Sequence, residues 1–314
     1  MVLHPATFQK ELISNGKLGA LRKSVLKFDI SEELTVLNVQ NGDRVKKGEV
    51  IACLKQDKLQ QALQQAEIQM EKSRFDLQNL LIGQGYQLRD SAAIPPAIFK
   101  TAGIQSGYTA AVNELQYARY NLRSTMLRAP FAGLVANIQH NVYEQVSASD
   151  EFCTLIDNSA YEVQFPVLET EIKDISPGKK IKVIPFAHDN DIYNGEVTEI
   201  NPVVDENGLI TIKGLIKNTK GLMEGMNVKV KIETAIPNCL IVPKEAVVIR
   251  QDQEVLFRYT AGKAFWTYVR TGFENSTSYT VTAHPDKGGT LAPGDTVIIS
   301  GNLNLAHESE VEIE

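Results

Sequence analysis

Histidines, cysteines and methionines are the residues of this 314-residue chain with the widest chemical reach, and their spacing decides what they can do. His4, His140, His188, His284 and His307 are scattered, and none has a second histidine or a cysteine at the helical or hairpin spacing of a metal site. The densest polar group, His188-Asp189-Asn190-Asp191, has cation-binding residue types but reads as an exposed turn. Cys53, Cys153 and Cys239 lie in apolar segments without CxxC spacing, which points to buried free thiols rather than a zinc knuckle or a redox pair. No GxSxG, HExxH, Walker loop or GxGxxG occurs, and no serine, histidine and acid form an identifiable set. The reading is therefore no enzyme, no catalytic residue, no metal and no cofactor.

Bulk properties narrow the choice further. A net charge of −6, with lysines and arginines interspersed among acids, offers no basic field for nucleic acid or an anionic membrane. No apolar run approaches the ~20 residues needed to span a bilayer, and the start MVLHPATFQK lacks the profile of a secretory signal. The chain is read as soluble, any anchor or signal having preceded Val2. Its length suggests two domains or more.

The elements that must position any functional surface come in three kinds. From Gln56 the pattern is helical: Leu59, Leu63, Ala66, Met70, Ser73, Leu77 and Leu80 alternate four and three apart, a heptad seam on an otherwise polar helix. One narrow apolar stripe asks for one partner helix. That partner begins near Pro95-Pro96 and repeats the spacing with Ala97, Thr101, Ile104, Tyr108, Ala111, Leu115, Ala118 and Leu122. Each helix spans about 40 Å at ~1.5 Å per residue. Gly83, Gly85 and the residues up to Ile94 make the turn, and Gly103 and Gly107 predict fraying or a kink in the second helix.

Short β segments flank the hairpin. Ser24–Ile30, Leu34–Val39 and Val50–Leu54 precede it, and Met126–Val135 and Phe152–Asp157 follow, so the two flanks read as halves of one small β domain into which the helices are inserted. Residues 158–236 hold Tyr161–Val167, Lys180–Pro185, Tyr193–Ile200, Leu209–Ile216 and Met226–Thr234 with an Asn207-Gly208 hairpin signal, which suggests a small barrel. Residues 237–314 form a further β set, expected to pair with the N-terminus.

This order of motifs resembles the membrane fusion protein family, the RND-type, HlyD-like periplasmic adaptors of tripartite efflux pumps. Gly42-Asp43-Arg44-Val45-Lys46-Lys47-Gly48 is similar to that family's first half-lipoyl signature, and Arg128-Ala129-Pro130-Phe131-Ala132-Gly133 to the second. Leu222-Met223-Glu224-Gly225-Met226-Asn227-Val228 looks like its barrel-closing turn. Ile241-Val242-Pro243-Lys244-Glu245-Ala246-Val247 looks like the lead-in to its membrane-proximal domain, and Leu291-Ala292-Pro293-Gly294-Asp295-Thr296-Val297 like that domain's last turn. Met223 and Met226 could bind soft copper, as methionines do in some metal-exporting members, but the turn motif already accounts for Met226.

The resemblance implies a mainly β, elongated, multidomain chain with an inserted coiled-coil hairpin. Its parts are a membrane-proximal piece (1–23), half of a lipoyl-like barrel-sandwich hybrid (24–55), the hairpin (56–124), the second half (125–157), a β-barrel (158–236) and the rest of the membrane-proximal domain (237–314). It further implies an inner-membrane transporter of the RND or ABC type and an outer-membrane channel as partners, and self-association into a ring. The implied location is the periplasm, with anchoring by an N-terminal lipid or helix. Partner docking would fall at the hairpin tip, on Gly83, Gln84, Gly85, Tyr86, Arg89 and Ser91.

Two features depart from the family pattern. Ser31-Glu32-Glu33 stands where relatives carry a turn glycine, and the arginine, leucine and serine set of many adaptor tips is absent between Gly83 and Pro96. The rival readings are a lipoyl or biotinyl carrier subunit and a metal- or small-molecule-binding periplasmic protein. Lys55 and Lys58 flank the helical insertion without a carrier motif.

Overall fold

The computed structural model describes residues 1–89, 94–188, 190–217 and 220–312. The chain forms two compact units, one of residues Ala20–Ser159 and one of Met1–Gly19 with Ala160–Glu314.

In the first unit, two four-stranded sheets face each other. One runs in the order Lys23–Leu26, Cys153–Ile156, Gly133–Ala136, Arg44–Val45, and the other Met126–Arg128, Val50–Leu54, Glu32–Leu37, Gln145–Val146. Each sheet takes strands from both sides of the hairpin, so neither flank could bury its apolar face alone. Leu34, Ile51, Leu54, Val135, Val146 and Leu155 fill the space between, and Phe28 meets Phe152 edge-on at 5.2 Å.

The two halves repeat one turn design. Gln40 donates its amide to the Asp43 carboxylate at 2.8 Å and Lys46 to Glu49 at 2.7 Å; in the second half, Asn141 donates to Glu144 at 2.9 Å and Ser147 to Asp150 at 2.9 Å. Gly42 (φ 97°) and Gly48 (φ 84°) take the left-handed backbone of the first copy, where the second places Tyr143 at φ 75°. Gly133 is required for a different reason. A Cβ there would lie 2.4 Å from the carbonyl oxygen of Ile156, inside any tolerable contact. Val45 and Ala129 are buried, Pro130 is exposed at the strand end, and the Phe131 ring carries the Arg22 guanidinium at 5.0 Å. The connection without the family's glycine is held by Ser31, whose hydroxyl accepts the Ala148 amide at 3.0 Å.

The second unit begins with a closed six-stranded barrel in the order Pro5–Ala20, Tyr161–Leu168, Leu209–Ile216, Tyr193–Val204, Lys180–Pro185, Asn227–Pro243 and back to Pro5–Ala20. Closure removes the exposed edges that an open sheet would present. Phe8, Leu18, Val163, Phe165, Val183, Ile212 and Val230 lie inside it. The Asn207-Gly208 signal is realised as a tight turn, with Gly208 at φ 73° and its amide on the Asp205 carbonyl at 3.0 Å.

The N-terminal residues need a correction. Residues 1–23 are expected in the membrane-proximal part, but Pro5–Ala20 is the sixth barrel strand, paired with Asn227–Pro243 from Pro5↔Leu240 to Lys17↔Asn227. Gly225 and Met226 lock it in place, the Gly225 amide donating to Leu18 and the Leu18 amide to Met226, both at 2.9 Å. Met1–Leu3 joins the last β set through the Val2↔Thr296 bridge and reciprocal 2.8 Å bonds of Leu3 with Gly294 and Asp295, and Gln9 and Glu11 accept hydrogen bonds from Asn275 and Ser276 of the same set.

That last set is built on the far half of Asn227–Pro243, which pairs with Ser278–Ala283, followed by Lys263–Glu274, Gln253–Thr260 and Val248–Arg250. Pro243 ends the long strand, and the short helical turn Lys244–Ala246 delivers Ala246 into a core with Leu3, Val242, Leu256, Val269, Val281 and Val297.

Candidate functional site

The hairpin is the part of the chain least occupied with holding the fold together. Its first helix, α1, is Asp57–Gly83; its second arm is broken into α2, Pro96–Gln105, and α3, Tyr108–Ser124. The base is clasped where it leaves the sandwich. Gln56 donates its side-chain amide to the buried Thr125 hydroxyl at 2.8 Å, and Thr125 donates to the Leu122 carbonyl at 2.6 Å. Tyr120 donates to Asp29 at 3.0 Å, and Arg119 pairs with Glu67 across the arms at 3.5 Å.

Inside, the seam divides in two. Near the base, Leu63, Ala66 and Met70 meet Leu115 and Ala118, with Leu59, Leu122 and Ala111 at least half-buried. Towards the tip, Leu77, Leu81, Ile94 and Ala102 form a second cluster with Tyr86, Leu88, Ile98, Phe99 and Tyr108.

Four residues of the expected seam face outwards: Leu80 on α1, and Ala97, Thr101 and Ile104 on the second arm. Leu80 is 36% exposed while Leu81 is fully buried. A strict seven-residue row drifts by ~20° per heptad on a straight helix, so by the fourth repeat the inward position has moved one residue on. Ile104 is 63% exposed, and Ala102 and Gly103 are buried in its stead. The cause is the break at Ser106-Gly107: Gly107 sits at φ 74° as the N-cap of α3, which resets the helical phase.

The predicted tip residues have differing tasks. α1 ends in a Schellman motif, with Gly85 at φ 85° donating to Ile82 at 3.0 Å and Tyr86 donating to Leu81 at 2.9 Å. Tyr86 then packs on the tip cluster, so Gly85 and Tyr86 serve the cap. Gly83, Gln84 and Arg89 are exposed, and Ser91 lies outside the described residues.

The outer edges of the hairpin carry exposed apolar residues, all but Ile104 of them outside the expected seam. Ile68, Phe75 and Ile82 are 64%, 64% and 54% exposed at intervals of seven along α1. Ile104, Tyr117 and Tyr120 are 63%, 62% and 44% exposed on the other arm. Ile68 and Phe75 follow the buried Ala66 and Ser73 by two residues, and Ile104, Tyr117 and Tyr120 follow Ala102, Leu115 and Ala118 likewise. Two residues are ~200° of helical rotation, so both rows point away from the seam. On α1 the signal was present as apolar residues at period seven outside the expected seam, whereas on the other arm Ile104 was expected inside it.

Among the described residues, no group of three or more histidines, cysteines or acids is placed to hold a metal, and no helix is long and apolar enough to cross a membrane. A groove of about 710 Å³ on the barrel is lined by Lys179, Lys180, Lys182 and Lys231. Those lysines already contact Thr234, Glu196, Glu233 and Glu11.

No protein-family model matches the chain. Macrolide export protein MacA of Escherichia coli O157:H7 is 26% identical over 278 residues, spanning 79% of this chain and 74% of the relative. This chain is homologous to that export protein over most of its length. Solved structures agree on the fold. A MacA–MexA chimera containing the Pseudomonas aeruginosa MexA hairpin superposes with a TM-score of 0.65 at 18% identity, covering 94% of this chain and 98% of that one. MacA from Actinobacillus actinomycetemcomitans gives 0.62 at 17%, covering 96% and 99%. The mainly β architecture with a barrel-sandwich, a hairpin and a six-stranded barrel is thus shared with these MacA structures.

Proposed function

We propose that this chain is a non-catalytic periplasmic adaptor that links an inner-membrane export transporter, of the RND or ABC type, to an outer-membrane channel for the efflux of drugs, metals or other small molecules. The observation that carries this reading is the hairpin: a long α-helical pair, closed on itself by one seam, that presents apolar rows on both outer edges. Unpaired apolar rows of that length on a polar helix are contact surfaces.

Copies of the chain stand side by side in a ring, the α1 edge of one meeting the α2 and α3 edge of the next. Such a contact between unlike surfaces closes into a ring when its rotation allows. Gln84 and Arg89, exposed at the tip, face the outer-membrane channel. Anchoring to the inner membrane is by an N-terminal lipid or helix, and transport energy comes from the partner.

Photo-crosslinking side chains introduced in the chain's own host test this. Placed at Phe75 or Ile104 they are expected to give self-adducts, and at Gln84 an adduct with an outer-membrane channel. Absence of self-adducts from both edge positions would sink the ring, and labelling of Gln84 by inner-membrane proteins alone would sink the orientation.

A further inference from the structure

We infer that the hairpin is jointed: the tip, residues 74–89 and 94–105, moves as one body on the stem, with the pivot at Ser73 on α1 and Ser106-Gly107 on the opposite arm. Two helix-weakening devices stand at one level. On α1, Ser73 is 1% exposed, and its hydroxyl donates to the Gln69 carbonyl one turn back at 2.9 Å. Such back-bonding competes with the helix's own hydrogen bonds and bends it. On the other arm, α2 stops at Gln105 and α3 starts at Tyr108, with Gly107 in left-handed backbone between them. The Ser106 hydroxyl accepts the Tyr108 amide at 3.3 Å and so stabilises the break. A Cβ built on Gly107 lies 3.9 Å from the Ser73 hydroxyl oxygen, so the two devices face each other across the seam.

Core structure is interrupted at the same level. The stem cluster ends at Met70 and the tip cluster begins at Leu77, with the polar Ser73 between them. The tip cluster is built mainly from the tip, where Ile94, Tyr86 and Leu88 fold over the end of α1 and are closed by the Schellman cap, and Tyr108 at the start of α3 packs against it from across the joint. A body with its own apolar core, joined to another through a polar level and two weakened helices, has the properties of a rigid element on a hinge. Continuous helix on the second arm would instead turn Thr101 and Ile104 inwards and expose Ala102, a poorer core than Ile98, Phe99 and Ala102 provide.

The use of the joint rests on the adaptor reading, in which a tilting tip would adjust to the surface it meets. The joint itself does not, and it is tested on the isolated full chain. With Cys53, Cys153 and Cys239 replaced by serine, spin-label pairs are placed at exposed positions: Gln64 with Asn113 in the stem, Gln78 with Lys100 in the tip, and Gln64 with Lys100 across the level of Ser73. Pulsed dipolar spectroscopy is expected to give narrow distance distributions for the first two pairs and one at least twice as wide for the third. Ser73→Ala, which removes the back-bond, should narrow the crossing pair about twofold and leave the tip pair unchanged. Equal widths for all three pairs would overturn the joint, and so would a tip pair as broad as the crossing pair. An unchanged width in Ser73→Ala would remove Ser73 as its pivot.

Discussion

Replacing Leu80 and Leu81 in turn with alanine separates a helix that keeps a strict seven-residue seam from one that keeps its natural 3.6-residue turn. Leu81 is fully buried in the tip cluster beside Leu77, Ile94 and Ala102. Truncating a leucine so enclosed costs about 3 kcal/mol, from lost burial plus the cavity left behind. Leu80 is 36% exposed and belongs to no buried cluster among the described residues, so its truncation should cost about 1 kcal/mol. The difference of ~2 kcal/mol is roughly a 30-fold difference in the local opening constant. Hydrogen exchange on the amides of residues 74–89 and 94–106 reads that constant directly, and the sandwich and stem amides serve as internal reference. L81A should accelerate tip exchange roughly 30-fold more than L80A and leave the reference amides unmoved. Equal acceleration by the two variants, or a larger one from L80A, would show that the inward row does not drift and would refute the phase argument.

Other expectations follow from single contacts. Gly133→Ala places a methyl group against the Ile156 carbonyl and should cost about 2 kcal/mol, seen as a lowered denaturant midpoint with an unchanged slope. Burial alone would raise the Asp157 carboxyl, but the hydrogen bonds from Ser159 and the Arg22 guanidinium outweigh it and hold the group below its usual value. Its stabilisation is then present above the ordinary carboxylate value of about 4 and lost as pH falls through the lower folded one. Asp157→Asn should therefore lower the melting temperature at pH 7, and the gap to wild type should shrink below about pH 4. Burial pushes the Cys153 thiol up to about 11. A disulfide reagent at pH 8 should modify it more slowly than the half-buried Cys53 and Cys239.

Read along the chain alone, the order of parts was plain: turn glycines, the change from alternating to heptad periodicity and the Asn207-Gly208 hairpin are local signals, set by backbone sterics within a few residues. They placed two β halves around a helical pair, and four of the five expected barrel strands match the observed ones within a few residues. The fifth, expected to end at Thr234, continues to Pro243 because its far half is a strand of the last sheet. Pro5–Ala20 was missed because its polar residues and Gly16 blur the alternation, and its partners are Tyr161–Leu168 and Asn227–Pro243, far away in sequence. The heptad stripe was right in kind and wrong in phase. Whether Leu80 or Leu81 faces the partner depends on accumulated helical twist, and whether Ile104 does depends on one left-handed residue at Gly107. Periodicity supplies the elements, but only their mutual contact settles which side of each is left free, because burial is a property of two surfaces and a stripe is a property of one.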